Sequence, residues 1–140
     1  MKPRYMLDTD TLIFLQRGRN LAAQKRFLAL AMDADGVSEA AISVITYGEI
    51  LCGMDDTRQS QIGMATLRGV LSAVPVLPLT QAAGEMWAEI RTRLKREGRM
   101  IGNHDLWIAA HALTADLTVV TNNEREFRRV PRLKVENWTK

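Results

Sequence analysis

The chain has 140 residues, 46% of them hydrophobic and 25% charged, with a formal net charge of +3 and one cysteine, Cys52. That size suits a single domain spanning 1–140 around one core, and the balance is that of a globular chain rather than a disordered one. No apolar run approaches the roughly 18 residues of a membrane span, no secretory h-region follows MKPRYMLD, and a lone cysteine excludes an internal disulfide, which suits a reducing cytoplasm.

Residues 4–8 (RYMLD) read as a short buried strand. Helical spacing covers residues 11–18 and 20–33, and Asp33-Ala34-Asp35-Gly36 is a turn signal. Residues 37–43 suit a second strand, and residues 46–54 and about 57–73 suit helices. VPVLPL (74–79) is bracketed by prolines, as befits an edge strand or a terminus. Thr80 is placed to cap a long helix to about Glu97, with Gly98 as its stop. A helix follows from Asn103 to Ala115, then a β-branched strand over 117–121 and a last strand over 133–138. Alternating strands and helices predict an α/β fold whose mostly parallel sheet is covered on both faces. Ligands of such sheets bind outside the C-terminal ends of the strands. Asp8, Ser43 and Thr121 all fall at such ends.

Basic residues cluster twice: Arg91, Arg93, Lys95, Arg96 and Arg99, then Arg125, Arg128, Arg129, Arg132 and Lys134. Such patches suit a phosphate-backbone partner. A solvated helix face serves equally well for the first cluster, since Glu85, Glu89 and Glu97 can pair with it.

Three acids share one kind of address. Asp8 ends the first strand, and on its own it reads equally as a turn or helix-start carboxylate. Glu49 lies early in the third helix, where Thr46-x-x-Glu49 has the form of a capping box. Asp105 opens a helix in which Leu106, Trp107, Ile108, Ala109, Ala110, Ala112 and Leu113 leave almost no polar face. There the bland role is compensation of the helix dipole. A helix apolar all round is buried, so its first carboxylate points into the crevice. Three like charges in one crevice raise each other's pKa, and a divalent cation resolves the conflict. Carboxylate-only ligation is the pattern of Mg²⁺ or Mn²⁺, whereas zinc wants histidine or cysteine. His104 and His111 stand seven residues apart on one helix, roughly 10 Å by helical rise, so they cannot share a metal. His111 and Cys52 read as packed, buried residues, and Trp107 as core or as a stacking platform for a base. Met32, Met54, Met64 and Met86 fit a core or a hydrophobic seat for a partner helix.

Taken in order, Leu7-Asp8-Thr9, Ile42-Ser43 with Thr46 and Glu49, Ile101-Gly102 with Asp105, Ile108 to Ala112, and Val120-Thr121-Asn122-Asn123 with Glu126-Phe127 resemble the PIN-domain ribonucleases. Within them the chain is similar to the VapC toxins of bacterial toxin–antitoxin pairs, over nearly its whole length. The resemblance implies a three-layer α/β/α domain and a Mg²⁺-dependent endoribonuclease, for which Mn²⁺ can substitute. It also implies a homodimer and a VapB-like antitoxin that blocks the site. Asp8, Glu49 and Asp105 match the family's catalytic metal ligands. Where many relatives carry a fourth acid, this chain has Asn123; Glu124 or Glu126 are substitutes and Asp116 a weaker one. Thr121 and Ser43 are candidates for the surrounding shell. Asp10 is either in that shell or the N-cap of the next helix, preferably the cap. With less negative charge, a second metal is not expected without substrate phosphate. The RNA contacts would include Arg91, Arg99, Arg125 and Arg128. The family points to transfer RNA, and Thr-Asn-Asn to the initiator's anticodon loop.

Two rivals remain at this stage. Asp8-Thr9-Asp10-Thr11 also matches the DxDxT motif of haloacid-dehalogenase-like phosphatases, with Asp8 as nucleophile and Asp10 as acid/base. Ser43 and Lys95 are its further requirements, and the late acid pair it needs is reduced to Asp105. A non-catalytic partner-binding module is the other.

Overall fold

In the computed structural model, five short strands form one all-parallel sheet in the order β3-β2-β1-β4-β5. The described residues are 3–17, 21–31, 38–54, 65, 68, 69 and 71–139. The elements in chain order are β1 (Tyr5–Leu7), α1 (Thr9–Arg17), α2 (Leu21–Ala31), β2 (Ala40–Ser43), α3 (Val44–Met54) and β3 (Val76–Leu77). There follow α4 (Gln81–Glu97), α5 (Asn103–Ala115), β4 (Thr118–Val120), α6 (Glu124–Phe127) and β5 (Val135–Glu136).

Strand pleating puts successive side chains on opposite faces, and the two cores divide accordingly. Tyr5, Leu7, Ala40, Ile42 and Val120 face one core with Leu12 of α1, Phe27 of α2 and Ile50 of α3. Met6 and Val119 face the other, with Ile90 and Leu94 of α4 and Leu106, Ile108, Ala109 and Ala112 of α5. The sheet is therefore the middle of three layers, as expected. Register pairs Met6 with both Ala41 and Val119, which brings the C-terminal ends of the three central strands level. Buried Trp138 closes the first core edge-on to Tyr5, centroids 5.1 Å apart.

The long helix behaves as its end residues require. Thr80 Oγ1 accepts from the Ala83 N–H at 3.2 Å, and Gly98 at φ 65° returns its N–H to the Leu94 and Lys95 carbonyls. That φ suits glycine because it lacks a Cβ. Trp87 of α4 stacks on Trp107 of α5 at 5.0 Å and 17°, so Trp107 is half-buried between helices.

Several boundaries differ from the sequence reading. The 133–138 strand shrinks to two residues, and so does the 74–79 strand, which lies at the sheet edge as the prolines suggested. α6 was not foreseen, since four residues show no period. α1 starts at Thr9 rather than residue 11, and α3 at Val44 rather than residue 46. The earlier start of α3 removes Thr46 from the cap. Ser43 Oγ does that work, accepting from the Ile45 N–H at 3.1 Å, while Thr46 is buried within the helix. Cys52 is exposed, not packed, because it lies on the outer face of α3. Most of the expected 57–73 helix falls outside the described residues, as do Met32, Met64 and the side chain of Met54. Met86 packs against the α4–α5 core. No helix among the described residues is long and apolar enough to cross a membrane.

Replacing Thr80 with alanine should lower stability to urea by about 1 kcal/mol through loss of the cap, and Thr80→Ser should restore it.

Candidate active site

Asp8 leaves β1 with its N–H still bonded to the Val120 carbonyl at 3.1 Å, and its own carbonyl already accepts from Leu12 N–H. The side chain is 2% exposed. Its Oδ1 accepts from the Thr11 backbone N–H at 2.8 Å and its Oδ2 from the Thr121 hydroxyl at 2.5 Å. Asp8 is thus itself the N-cap of α1. Asp10, expected to be that cap, is an exposed residue of the first turn instead. Burial lifts the Asp8 pKa to about 6, against the pull of its Thr121 and Thr11 hydrogen bonds.

Asp105 enters from the opposite layer, in the first turn of α5. Its pKa rises to about 7, first through burial, then through a hydrogen bond with Glu126, then through the charges of Asp8, Glu126 and Asp10. Asp10 is raised too, by burial and by Glu49 and Glu126. Asp8, Asp10, Glu49, Asp105 and Glu126 therefore form one electrostatic cluster at the C-terminal ends of β1, β2 and β4. The hydrogen-bond donors around them are hydroxyls, a backbone N–H, an amide and an imidazole. The two donors to Asp8, a backbone N–H and a hydroxyl, carry no full positive charge as a lysine or arginine would.

The segment after β4 ties the cluster together. Thr121 Oγ1, which donates to Asp8, accepts from the Asn123 N–H at 2.8 Å, and Asn123 Nδ2 donates to Glu126 Oε2 at 3.0 Å. Thr121 and Asn123 accordingly sit in the surrounding shell, and Glu126 is the carboxylate that meets Asp105. Glu124, the other substitute, turns away to Arg128 at 3.2 Å and Asn137 at 3.4 Å. Asp116 ends α5 at φ 56°, just before β4 begins, and so lies at the far end of that strand from the cluster. Periodicity could not rank Glu126 over Asn123, because the choice depends on the single turn of α6.

Glu49 does not fold back on its own helix as the capping box requires. Its Oε1 accepts from the Thr9 hydroxyl at 2.8 Å, and its Oε2 pairs with His104 Nδ1 at 2.9 Å. Among the described residues no three His, Cys, Asp or Glu side chains close round one point as they stand. His111 is buried, as expected, and does more than pack. Its Nδ1 meets Ser43 Oγ at 2.8 Å, and a ring N–H reaches the Pro78 backbone. Burial lowers its pKa, so the neutral ring accepts from Ser43 and pins α5 to the ends of β2 and β3.

The basic residues lie outside this cluster. Arg91 rests over the Trp87 ring at 5.8 Å, Arg128 pairs with Glu124, and Arg99 and Arg125 are exposed. Arg129 donates to the Met100 carbonyl at 2.8 Å, bracing the loop before α5 against α6.

Comparison with known proteins decides between the rivals. The PIN domain model matches residues 5–133. This chain belongs to the VapC nucleases of the PIN-domain family. It is 33% identical over 136 residues to the "tRNA(fMet)-specific endonuclease VapC" of Shigella flexneri, covering 97% of this chain and 98% of the relative. "Ribonuclease VapC2" of Rickettsia felis is 32% identical with the same coverage. Among solved structures, VapBC2 from Rickettsia felis bound to a promoter DNA fragment superposes with a TM-score of 0.85 at 31% identity, covering 99% of both chains. DNA-bound VapBC from Salmonella typhimurium gives 0.84 at 34%, covering 97% of this chain and 98% of that one. The phosphatase alternative has no such support.

As in the VapC reading of the sequence, the donor set is all carboxylate oxygen, the chemistry a hard divalent cation takes, and within it Asp8 and Asp105 have raised proton affinity. The pKa shifts have a consequence for the metal-free protein. A carboxyl whose folded pKa exceeds its unfolded value loses stability as pH rises from about 4 through the folded value. For Asp8 and Asp105 that window closes near pH 6 and 7. In chelator, Asp105→Asn should therefore melt about 2–5 °C above the parent at pH 8. The advantage should vanish near pH 4, and melting curves across that range check it.

Proposed function

We propose that this chain is a divalent-cation-dependent endoribonuclease, with Mg²⁺ as the ion and Mn²⁺ as a substitute. Asp8, Asp105 and Glu49 would hold the ion, and Glu126 would take the fourth acidic position. The observation that carries this reading is the convergence of mutually repelling carboxylates, Asp8 buried and Asp105 half-buried, at the strand ends of a VapC nuclease. A bound cation supplies charge that activates water and offsets the negative charge building on phosphate.

The protein's own groups set the geometry. Thr11 and Thr121 fix both oxygens of Asp8, so it presents its charge in one orientation. Asn123 orients Glu126 against Asp105. No protein base is required at the 2′-hydroxyl, and the two histidines do not form an acid–base pair: His111 is locked to Ser43 and Pro78, whereas exposed His104 contacts Glu49. The products should carry 5′-phosphate and 3′-hydroxyl ends.

The substrate reading is transfer RNA, with the initiator anticodon loop preferred. Support comes from relatives in Shigella flexneri and Salmonella typhimurium, both called tRNA(fMet)-specific. Unpaired loops also offer splayed bases to a protein surface. Arg91, Arg99, Arg125 and exposed neighbours would hold the backbone. Cleavage would stop translation, making the chain the toxin of a pair. A VapB-like antitoxin fits the VapBC complexes that share this fold, and the homodimer is carried over from the family resemblance alone.

Two measurements test this. Chelation should abolish cleavage of total transfer RNA, and Mg²⁺ or Mn²⁺ should restore it; persistent cleavage in chelator refutes the metal role. Asp8→Asn should lower the rate at least about 100-fold, given the typical weight of a group that stabilises the transition state electrostatically. End mapping that found 2′,3′-cyclic phosphates would exclude the hydrolytic route. Growth arrest on expression, relieved by the neighbouring antitoxin gene, checks the toxin role.

A further inference from the structure

His104 has no assigned part in the reaction, yet it sits at the mouth of the site. It is the second residue of α5 and directly precedes Asp105. Its side chain is 61% exposed, which leaves it little packing role, while its partner Glu49 is 27% exposed. The 2.9 Å contact from Nδ1 to Oε2 joins α5 on one side of the sheet to α3 on the other. With Thr9 on Oε1, both oxygens of Glu49 have donors from the protein itself. Asp8 is likewise held by two donors, but these, the Thr11 backbone N–H and the Thr121 hydroxyl, are both buried. The imidazole can leave. It lines two adjoining hollows, one of about 340 Å³ along Gly102–Asp105 and one of about 490 Å³ against Val44, Gly48 and Cys52. A turn about its side-chain bonds would carry the ring into either.

We infer that His104 is a positioning residue that competes with the cation for Glu49, holding the carboxylate out of the metal set until the ion displaces the ring. The inference rests on the metal-dependent reading above. Among the described residues no three ligating side chains close round one point as they stand, and Glu49 is one whose two oxygens are engaged elsewhere. A hydrogen bond to a carboxylate occupies a lone pair that the ion would use, and the ion must displace it or share the oxygen. Removing the donor should favour the ion. Restoring a donor at the Nδ1 position, as asparagine does with its Nδ2, should return the competition.

The test is Mn²⁺ affinity of the full chain, read by electron paramagnetic resonance and calorimetry without RNA. Wild type, His104→Ala, His104→Asn and Asp8→Asn are compared, each first shown to melt cooperatively. His104→Ala should bind Mn²⁺ about three- to tenfold tighter, the scale of one ordinary net hydrogen bond. His104→Asn should stay within about twofold of wild type on that scale. On Mg²⁺ addition, the ring nitrogen signals of His104 should lose the mark of the Glu49 hydrogen bond, while those of buried His111 stay put. Equal or weaker binding by His104→Ala overturns the inference, as do unmoved His104 signals. Absence of any Mn²⁺ binding sensitive to Asp8→Asn is a different result: it brings down the metal reading itself, and this inference with it.

Discussion

A carboxylate at the end of the central strand has to be kept charged, or nearly so, in a place where water cannot reach it. Asp8 meets that constraint with two fixed donors, one from the helix it starts and one from the strand beside it. Neither donor carries a full positive charge, so hydrogen bonding offsets burial only in part and the proton affinity stays high. The rest of the site is arranged around that residual cost. Asp105 arrives from the other layer, Glu126 from the turn after β4 and Glu49 from α3, each adding negative charge. Gathering carboxylates in this way costs the fold stability, and the raised proton affinities of Asp8 and Asp105 are the mark of that cost.

The parallel sheet and the three layers were legible because the apolar residues of each strand run continuously and the helices alternate with them. Asp8 and Asp105 were legible for the same reason: one ends a buried strand, the other opens a helix without a polar face. Glu49 was harder. Thr46-x-x-Glu49 has the spacing of a cap, but spacing says nothing about where the helix begins. Ser43 begins it two residues sooner, which turns Thr46 inward and frees Glu49 to reach Thr9 and His104. Glu126 was outranked by Asn123 for a related reason, since both lie near β4 and only the turn of α6 separates their directions. The tie from His111 to Ser43 spans 68 positions, which no local pattern encodes.

That tie helps to explain how two layers agree on one site. α5 carries Asp105 but has no strand bond of its own, and apolar packing alone lets a helix slide. The His111–Ser43 hydrogen bond and the Pro78 contact fix its depth, and Arg129 on the Met100 carbonyl fixes the loop before it. Burying a neutral imidazole with both nitrogens used costs little compared with an unpaired one.

β2 ends at Ser43 and α3 begins at Val44, with no residue between them. Strand and helix therefore share one uninterrupted count, and the compass bearing of every α3 side chain is set by the hydrogen-bonded register of the sheet. Since each helical residue turns the axis by about 100°, a single inserted or deleted position between Ser43 and Glu49 would send that carboxylate to another side of the helix. Most strand-to-helix joins absorb such length changes in a loop; this one cannot. The span of sequence from 43 to 49 is thus bound to a fixed length by geometry alone, independent of which side chains fill it.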